Sequence, residues 1–136
     1  MLNVIIGEKG TGKTKKLIDW VHQAEEKTDG SVVLINKGDR HVFDVSHRVR
    51  LVNTEEFNVV TYNSLYGMVC GMISQNYDIK HIFIDSITKI AGKDDALLVQ
   101  FLDEVNAVTD KLGIEVVVII SVSEAEAPEG VKKYVK

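Results

Sequence analysis

One short glycine-rich segment constrains this chain more than any other. Residues 7–14 read GEKGTGKT and fit the pattern G-x-x-x-x-G-K-[ST] at every constrained position. Glycines allow the backbone to curl, so that successive N–H groups point inward and hold an anion. An apolar run precedes the segment and a helical pattern follows it, which is the context that this pattern requires. The segment therefore predicts a phosphate-binding loop between a strand and a helix.

The residues of this segment, called the glycine loop below, have different expected contacts with a nucleotide. The helix that starts near Gly12 directs the positive end of its dipole at the phosphates. Lys13 supplies a mobile charge for the β- and γ-phosphates, and the Thr14 hydroxyl is placed to bind Mg²⁺. The predicted nucleotide-binding residues of the loop are Gly7, Glu8, Lys9, Gly10, Thr11, Gly12, Lys13 and Thr14.

Apolar runs that alternate with helical patterns predict the fold class. Strands are predicted at residues 2–6, 31–35, 50–52, 58–61, 81–85, 115–121 and 131–135. Helices are predicted over residues 13–27, from Asn63 or Ser64, and from Asp94 or Asp95. This alternation favours an α/β fold in three layers, with a mostly parallel β-sheet between helices. At 136 residues, the chain is expected to form a single domain, residues 1–136.

An acid closes one of the predicted strands. Asp85 ends the apolar run HIFID, and ligands of open α/β sheets bind at the carboxyl ends of the strands. A phosphate loop needs an acid at the end of a neighbouring strand to hold the metal. We therefore predict Asp85 as a ligand of Mg²⁺ together with Thr14, and as a catalytic residue together with Lys13. The alternative is that Asp85 caps the turn that follows the strand.

Ser121 stands at the corresponding end of the strand predicted over 115–121. If this strand lies between the strand before the glycine loop and the strand of Asp85, the Ser121 hydroxyl faces the γ-phosphate. We therefore add Ser121 to the predicted nucleotide-binding residues. The alternative is a solvated serine at a strand end.

These segments resemble a known family. The glycine loop, the sequence IFIDS around Asp85 and the sequence VVVIIS ending at Ser121 are similar to the core of RecA-like P-loop ATPases. The resemblance covers most of the chain in the order of its elements. It implies a P-loop fold with RecA-like strand order, in which the Ser121 strand lies between the other two. It also implies ATP as ligand or substrate, and Mg²⁺ held by Thr14 and Asp85.

The chain departs from that family at the residue that activates the attacking water. RecA-like ATPases activate the attacking water with a glutamate, next to the metal-binding acid or at the end of a neighbouring strand. Here Ser86 follows Asp85, and the strand predicted over 31–35 runs on into Asn36-Lys37-Gly38-Asp39. The remaining candidates are Glu8, Glu55 and Glu56, none of them at either position. Binding is thus better supported than fast hydrolysis.

Residues 37–57 carry basic and histidine side chains between short apolar pieces. One interpretation is a solvated loop whose cations balance the nearby acids Asp39, Asp44, Glu55 and Glu56. A second is an arginine finger for a neighbouring subunit's nucleotide, supplied by Arg40, Arg48 or Arg50. A third is a surface that binds a partner or nucleic acid. The pairs Asp39-Arg40 and Ser46-His47 also show a fainter resemblance to thymidine-kinase-type enzymes, which implies phosphorylation of a small substrate.

Composition excludes several classes of protein. Apolar residues make up 45% and charged residues 26%, which argues against disorder. The net charge of −4 does not support nucleic acid as a partner. A single cysteine, Cys70, excludes an internal disulfide, and the spacing of the histidines predicts no zinc site. No apolar run is long enough to span a membrane and no leader opens the chain, so membrane attachment is not expected and a cytoplasmic location is.

The expected function is binding of a nucleoside triphosphate, Mg-ATP above all, by a slow ATPase or a nucleotide-switched module. One alternative is a non-hydrolysing nucleotide-binding or regulatory subunit, because the glutamate is missing. Another is a small-substrate phosphotransferase related to thymidine kinases. A homo-oligomer or a larger protein partner is possible in each case.

Overall fold

The computed structural model describes residues 1–41 and 43–136 and contains one five-stranded sheet. Its strands are β1 (Leu2–Gly7), β2 (Ser31–Asn36), β3 (Val49–Asn53), β4 (Ile79–Ile84) and β5 (Glu115–Ser121). They lie in the order β1-β5-β4-β2-β3, and every neighbouring pair is parallel. Helices flank the sheet, so the predicted α/β fold with a parallel sheet between helices is confirmed.

Helices cover the two faces of the sheet unequally. They are α1 (Lys13–Lys27), α2 (Tyr62–Gln75), α3 (Ile87–Ala91), α4 (Asp95–Lys111) and α5 (Glu129–Lys132). On one face, α1 buries Leu17, Val21 and Ala24 against the sheet. On the other face, buried side chains of α2, α3, α4 and α5 pack against the sheet, and together with the strand residues of that face they form the larger part of the core. None of the helices within residues 1–41 and 43–136 has the length and apolar character that crossing a membrane requires.

Strand β5 lies between β1 and β4 in the sheet. Residues 116–120 are buried, since β1 pairs with β5 on one side, β4 pairs with it on the other, and helices cover both faces. This surrounding explains the run of five β-branched residues, which a strand with one solvated face would not need. The strand that ends at Ser121 thus lies between the strand that leads into the glycine loop and the strand that leads to Asp85.

The strand predicted at residues 58–61 is wrong. Asn58 has a positive φ of 54° and ends a 3-10 helix that spans Thr54–Phe57. Thr61 then caps α2, because its hydroxyl accepts from the backbone N–H of Ser64, while the Ser64 hydroxyl accepts from the backbone N–H of Thr61. This reciprocal capping box fixes the helix start at Tyr62, not at Asn63 or Ser64. The composition of residues 58–61 favours a strand, but the end of the 3-10 helix and the capped start of α2 determine the conformation of these residues.

The edge strand predicted at residues 131–135 is also wrong. The short helix α5 begins after Pro128 and buries Val131. Only a brief parallel bridge to β1 follows, in which the N–H of Val4 donates to Tyr134 O at 2.7 Å. The end of the chain therefore covers the edge of β1 without adding a strand to the sheet.

Candidate functional site

The carboxyl ends of four neighbouring strands bring the candidate residues to one edge of the sheet. Gly7 ends β1 and is paired in register with Ser121, which ends β5. Asp85 follows β4, and its N–H donates to Ile35 O at 2.9 Å. Phe83 packs on the α1 face, so Asp85, two residues further along, has its side chain on that face too. This edge is where parallel α/β sheets bind ligands.

The glycine loop closes on the carbonyl oxygen of Glu8. This oxygen accepts hydrogen bonds from Thr11 Oγ1 at 2.7 Å and from Lys13 Nζ at 2.8 Å. Gly10 and Gly12 have φ values of 86° and 83°, a left-handed conformation that side chains disfavour. Gly12 caps α1 without a side-chain hydrogen bond, which leaves the first N–H groups of the helix available to an anion.

Two further features fix the shape of this loop. A Cβ atom on Gly7 would lie 2.5 Å from Thr11 Oγ1, so a larger residue would displace the Thr11 hydroxyl that closes the loop on Glu8 O. Lys13 is only 9% exposed because its side chain folds back over the loop. Burial lowers the pKa of Lys13, and the Asp85 carboxylate opposes that shift. The ammonium group therefore lies inside the loop, where it can meet a bound phosphate.

Asp85 is fully buried and has several hydrogen-bond donors around it. Its Oδ2 accepts from Arg40 NH2 at 2.6 Å and is 2.7 Å from His41 Nε2, while its Oδ1 accepts from Ser86 Oγ at 3.1 Å. Burial alone would raise the pKa of Asp85, but the His41 hydrogen bond and the Arg40 charge bring that pKa below its usual value. A buried carboxylate stays ionised only with such partners.

Arg40 connects this carboxylate with the glycine loop. The NH2 nitrogen that binds Asp85 also donates to Thr14 Oγ1, at 3.3 Å. The two oxygens predicted to bind Mg²⁺ thus lie around one positively charged group. A hydroxyl and a carboxylate are hard oxygen ligands, and Mg²⁺ takes one or two protein oxygens and keeps several waters. The donor set therefore fits magnesium, although the described residues contain no cluster of three His, Cys, Asp or Glu side chains for a metal.

Residues 37–47 are called the basic loop below, and the structure describes all of them except Val42. His41 holds this loop beside Asp85. The ring is 2% exposed and lies between two acids, with Nε2 on Asp85 and Nδ1 3.1 Å from Asp44 Oδ2. The hydrogen bond to Asp85 raises the pKa of His41, whereas burial lowers it. Asp44 O in turn is 3.0 Å from Nε2 of His22 on α1.

The interpretation of this region as a solvated loop agrees with the exposure of most of its described residues, but the expected pairing of its cations with neighbouring acids is wrong for Arg40. Arg40 and His41 pair with Asp85, a residue far along the chain, and not only with neighbouring acids. Arg48, just beyond the loop, pairs with Glu25 of α1 at 3.9 Å. From the sequence, Arg40 is considered as an arginine finger for another subunit's site and as part of the fainter resemblance to thymidine-kinase-type enzymes, and His41 is given no role. The missing information was the strand order, which sets the end of β2 beside Asp85.

Asn36 is a second residue of this edge that sequence reasoning missed. Ile35 and Ile84 are paired in register, so the residues that follow them, Asn36 and Asp85, lie side by side. Asn36 is 4% exposed, and its Nδ2 has no hydrogen-bond partner within residues 1–41 and 43–136. An unpaired buried amide costs about 1–3 kcal/mol, so its retention beside Asp85 favours a role in the site.

The other residues singled out from the sequence, Ser121 as a nucleotide-binding residue and Glu8, Glu55 and Glu56 as possible bases, do not contribute to the cluster around Asp85. Ser86 has a positive φ of 52°, which is a strained conformation for serine directly after Asp85. Ser121 is exposed at its strand end, and Glu8 is exposed in the glycine loop. Glu55 and Glu56 follow β3, which is separated from β4 by β2. No glutamate of the described residues contacts Asp85.

A cavity of about 820 Å³ opens between β3 and α2, on the face of the sheet opposite to α1. Its walls include Leu51, Phe57 and Met68, and no residue of the glycine loop. The candidate residues around Asp85 and this cavity therefore lie in different parts of the molecule. No protein-family model and no curated protein sequence matches the chain.

Proposed function

We propose that this chain binds a nucleoside triphosphate with Mg²⁺, with ATP as the expected nucleotide, at the edge where the glycine loop meets Asp85. One observation carries the proposal: Thr14 Oγ1 and Asp85 Oδ2 share one cationic group beside a glycine loop over which Lys13 is folded. The strand order β1-β5-β4-β2-β3 further supports a place among RecA-like P-loop ATPases.

In this proposal each group has a defined task. The N–H groups at the start of α1 and the Lys13 ammonium bind the phosphates, and Lys13 exchanges Glu8 O for a phosphate oxygen. Thr14 and Asp85 hold the magnesium ion, which when bound neutralises phosphate charge. Ser121, next to Gly7 in register, is within the same edge and is proposed to contact the terminal phosphate.

Asn36 and Ser86 flank Asp85 where a RecA-like ATPase has its glutamate. Neither an amide nor a serine hydroxyl takes a proton from water at neutral pH, so the contribution of a general base, about 10²–10⁴ in rate, is missing. This favours a slow ATPase or a nucleotide-switched module. The same observation favours the second candidate, a non-hydrolysing nucleotide-binding or regulatory subunit.

A phosphotransferase related to thymidine kinases is a third candidate. The observation in its favour is that Arg40, one of the residues of that fainter resemblance, contacts Asp85. A labelled γ-phosphate recovered on a nucleoside would identify this class, and its absence with a panel of nucleosides would dismiss it.

The test combines binding with phosphate release, both measured with Mg-ATP on the wild type and on Lys13→Ala. We expect micromolar binding that Lys13→Ala weakens at least a hundredfold, and slow release of phosphate that the variant abolishes. Lys15→Ala, a neighbouring exposed lysine of α1, is the matched control and is expected to behave as wild type. Equal affinity of wild type and Lys13→Ala would overturn the proposal. Binding without release would select the non-hydrolysing class.

A further inference from the structure

The guanidinium group of Arg40 occupies the position between the two proposed metal ligands. One nitrogen, NH2, lies 2.6 Å from Asp85 Oδ2 and 3.3 Å from Thr14 Oγ1. A magnesium ion is held at about 2.0–2.1 Å from its oxygens. Two cations cannot share so small a space, so the present contact of Arg40 and a bound metal–nucleotide complex exclude each other.

Arg40 is the group of this cluster that can move. Its side chain is 43% exposed, whereas that of His41 is 2% exposed and held between Asp44 and Asp85. His41 therefore keeps the backbone of the basic loop beside Asp85 even when the Arg40 side chain leaves. A released guanidinium group stays within one side-chain length of the glycine loop.

We propose that Arg40 makes the site selective for a triphosphate over a diphosphate, an inference that rests on the proposed function. Arg40 leaves Asp85 when a metal–nucleotide complex binds, and its guanidinium group then binds the terminal phosphate. A guanidinium group matches phosphate oxygens in a two-point geometry, which makes this a favourable exchange of partners. With a diphosphate, Arg40 loses the Asp85 carboxylate and gains no third phosphate. The residue therefore opposes Mg-ADP and favours Mg-ATP.

Titration calorimetry with Mg-ADP and with a non-hydrolysable Mg-ATP analogue tests this exchange. In Arg40→Gln, we expect Mg-ADP to bind at least threefold more tightly than in wild type, because the competing cation is gone. The ratio of triphosphate to diphosphate affinity should fall about tenfold, because the contact with the terminal phosphate is gone. Lys37→Gln, which removes an exposed cation from the same loop, is the matched control and should leave both values unchanged.

A second variant separates charge from loosening of the loop. Arg40→Lys keeps a positive charge beside Asp85, so it should bind Mg-ADP as weakly as the wild type does. If Arg40→Lys tightens Mg-ADP as much as Arg40→Gln, or if Arg40→Gln leaves the affinity ratio unchanged, the inference is overturned. Failure of the wild type to bind either nucleotide, or equal binding by Lys13→Ala, would instead overturn the proposed function.

Discussion

The glycine loop and the basic loop meet at Asp85, yet different forces hold them in place. The glycine loop closes on itself through Glu8 O, and residues 8–12 are exposed. The basic loop is held by side chains that reach distant elements, above all by His41 and Asp44. Substitutions in the first loop are therefore expected to change ligand binding with little effect on stability. Substitutions of the residues that anchor the second, His41 and Asp44, should change both.

Asp85→Asn should give the largest effect, because this carboxylate anchors the basic loop and is also a proposed ligand of the magnesium ion. The amide no longer balances Arg40, and it accepts more weakly from the buried His41, so we expect a loss of about 2–4 kcal/mol in the free energy of unfolding. Binding of Mg-ATP should fall by at least a hundredfold. Urea unfolding and calorimetry measure the two quantities. Asp19→Asn, an exposed acid on α1, is the control, and an Asp85→Asn variant as stable as this control would contradict the role of the ion pairs.

His41→Phe tests whether the basic loop depends on its buried ring. The change removes the hydrogen bonds to Asp44 and Asp85 while it keeps an aromatic ring of similar size. Two lost hydrogen bonds to charged groups, partly offset by burial of a more apolar ring, predict a net destabilisation of about 2 kcal/mol. His47→Phe, at an exposed position of the same loop, should change the free energy of unfolding by less than about 0.5 kcal/mol. Equal effects of both variants in urea unfolding would show that the ring of His41 does not hold the loop.

Asn36→Leu should weaken binding of Mg-ATP without lowering the stability of the folded chain. The unpartnered amide of Asn36 destabilises the folded chain, so an apolar side chain of similar size should leave stability unchanged or raise it by about 1 kcal/mol. Affinity for Mg-ATP should nevertheless fall several-fold if the amide contacts a phosphate oxygen or the attacking water. A stable variant with unchanged affinity and turnover would remove Asn36 from the site.

The smallest expected effect concerns His81, at the end of β4 that lies away from the site. Burial lowers the pKa of His81, and the neighbouring Glu115 opposes that shift. At this ring the folded chain binds fewer protons than the unfolded chain, so the contribution of His81 to the free energy of unfolding should decrease as the pH falls below about 6.5. The raised pKa of His41 contributes with the opposite sign, and it is common to the wild type and to His81→Gln. His81→Gln should show a flatter profile than the wild type between pH 7.5 and 5.5 in urea unfolding. Identical profiles would exclude this titration as a source of pH dependence.

The difference between local contacts, as in the glycine loop, and contacts with distant elements, as in the basic loop, also explains how much of the molecule could be predicted from its sequence. Helix α1 begins and ends where its pattern predicts, and β5 spans the predicted residues, because both depend on local periodicity and on burial that the pattern records. Asp85 could be selected because it directly follows an apolar strand. In each case, the information lies within about fifteen residues of the feature.

The rest depends on contacts between residues far apart in sequence. Arg40 and Asp85 are 45 positions apart, and only the pairing of β2 with β4 brings them together. Asn36 carries no motif, and its position beside Asp85 also follows from that pairing. The strand expected at residues 58–61 failed for another reason, since side-chain capping by Thr61 outweighed strand propensity.

Hydrogen exchange of the wild type with and without the Mg-ATP analogue tests most directly whether the two loops form one nucleotide site. We predict slower exchange in residues 7–14 and a simultaneous change in residues 37–47, with neither change in Lys13→Ala. Changes confined to the glycine loop would contradict the account of a shared site, and no change in either loop would contradict nucleotide binding itself.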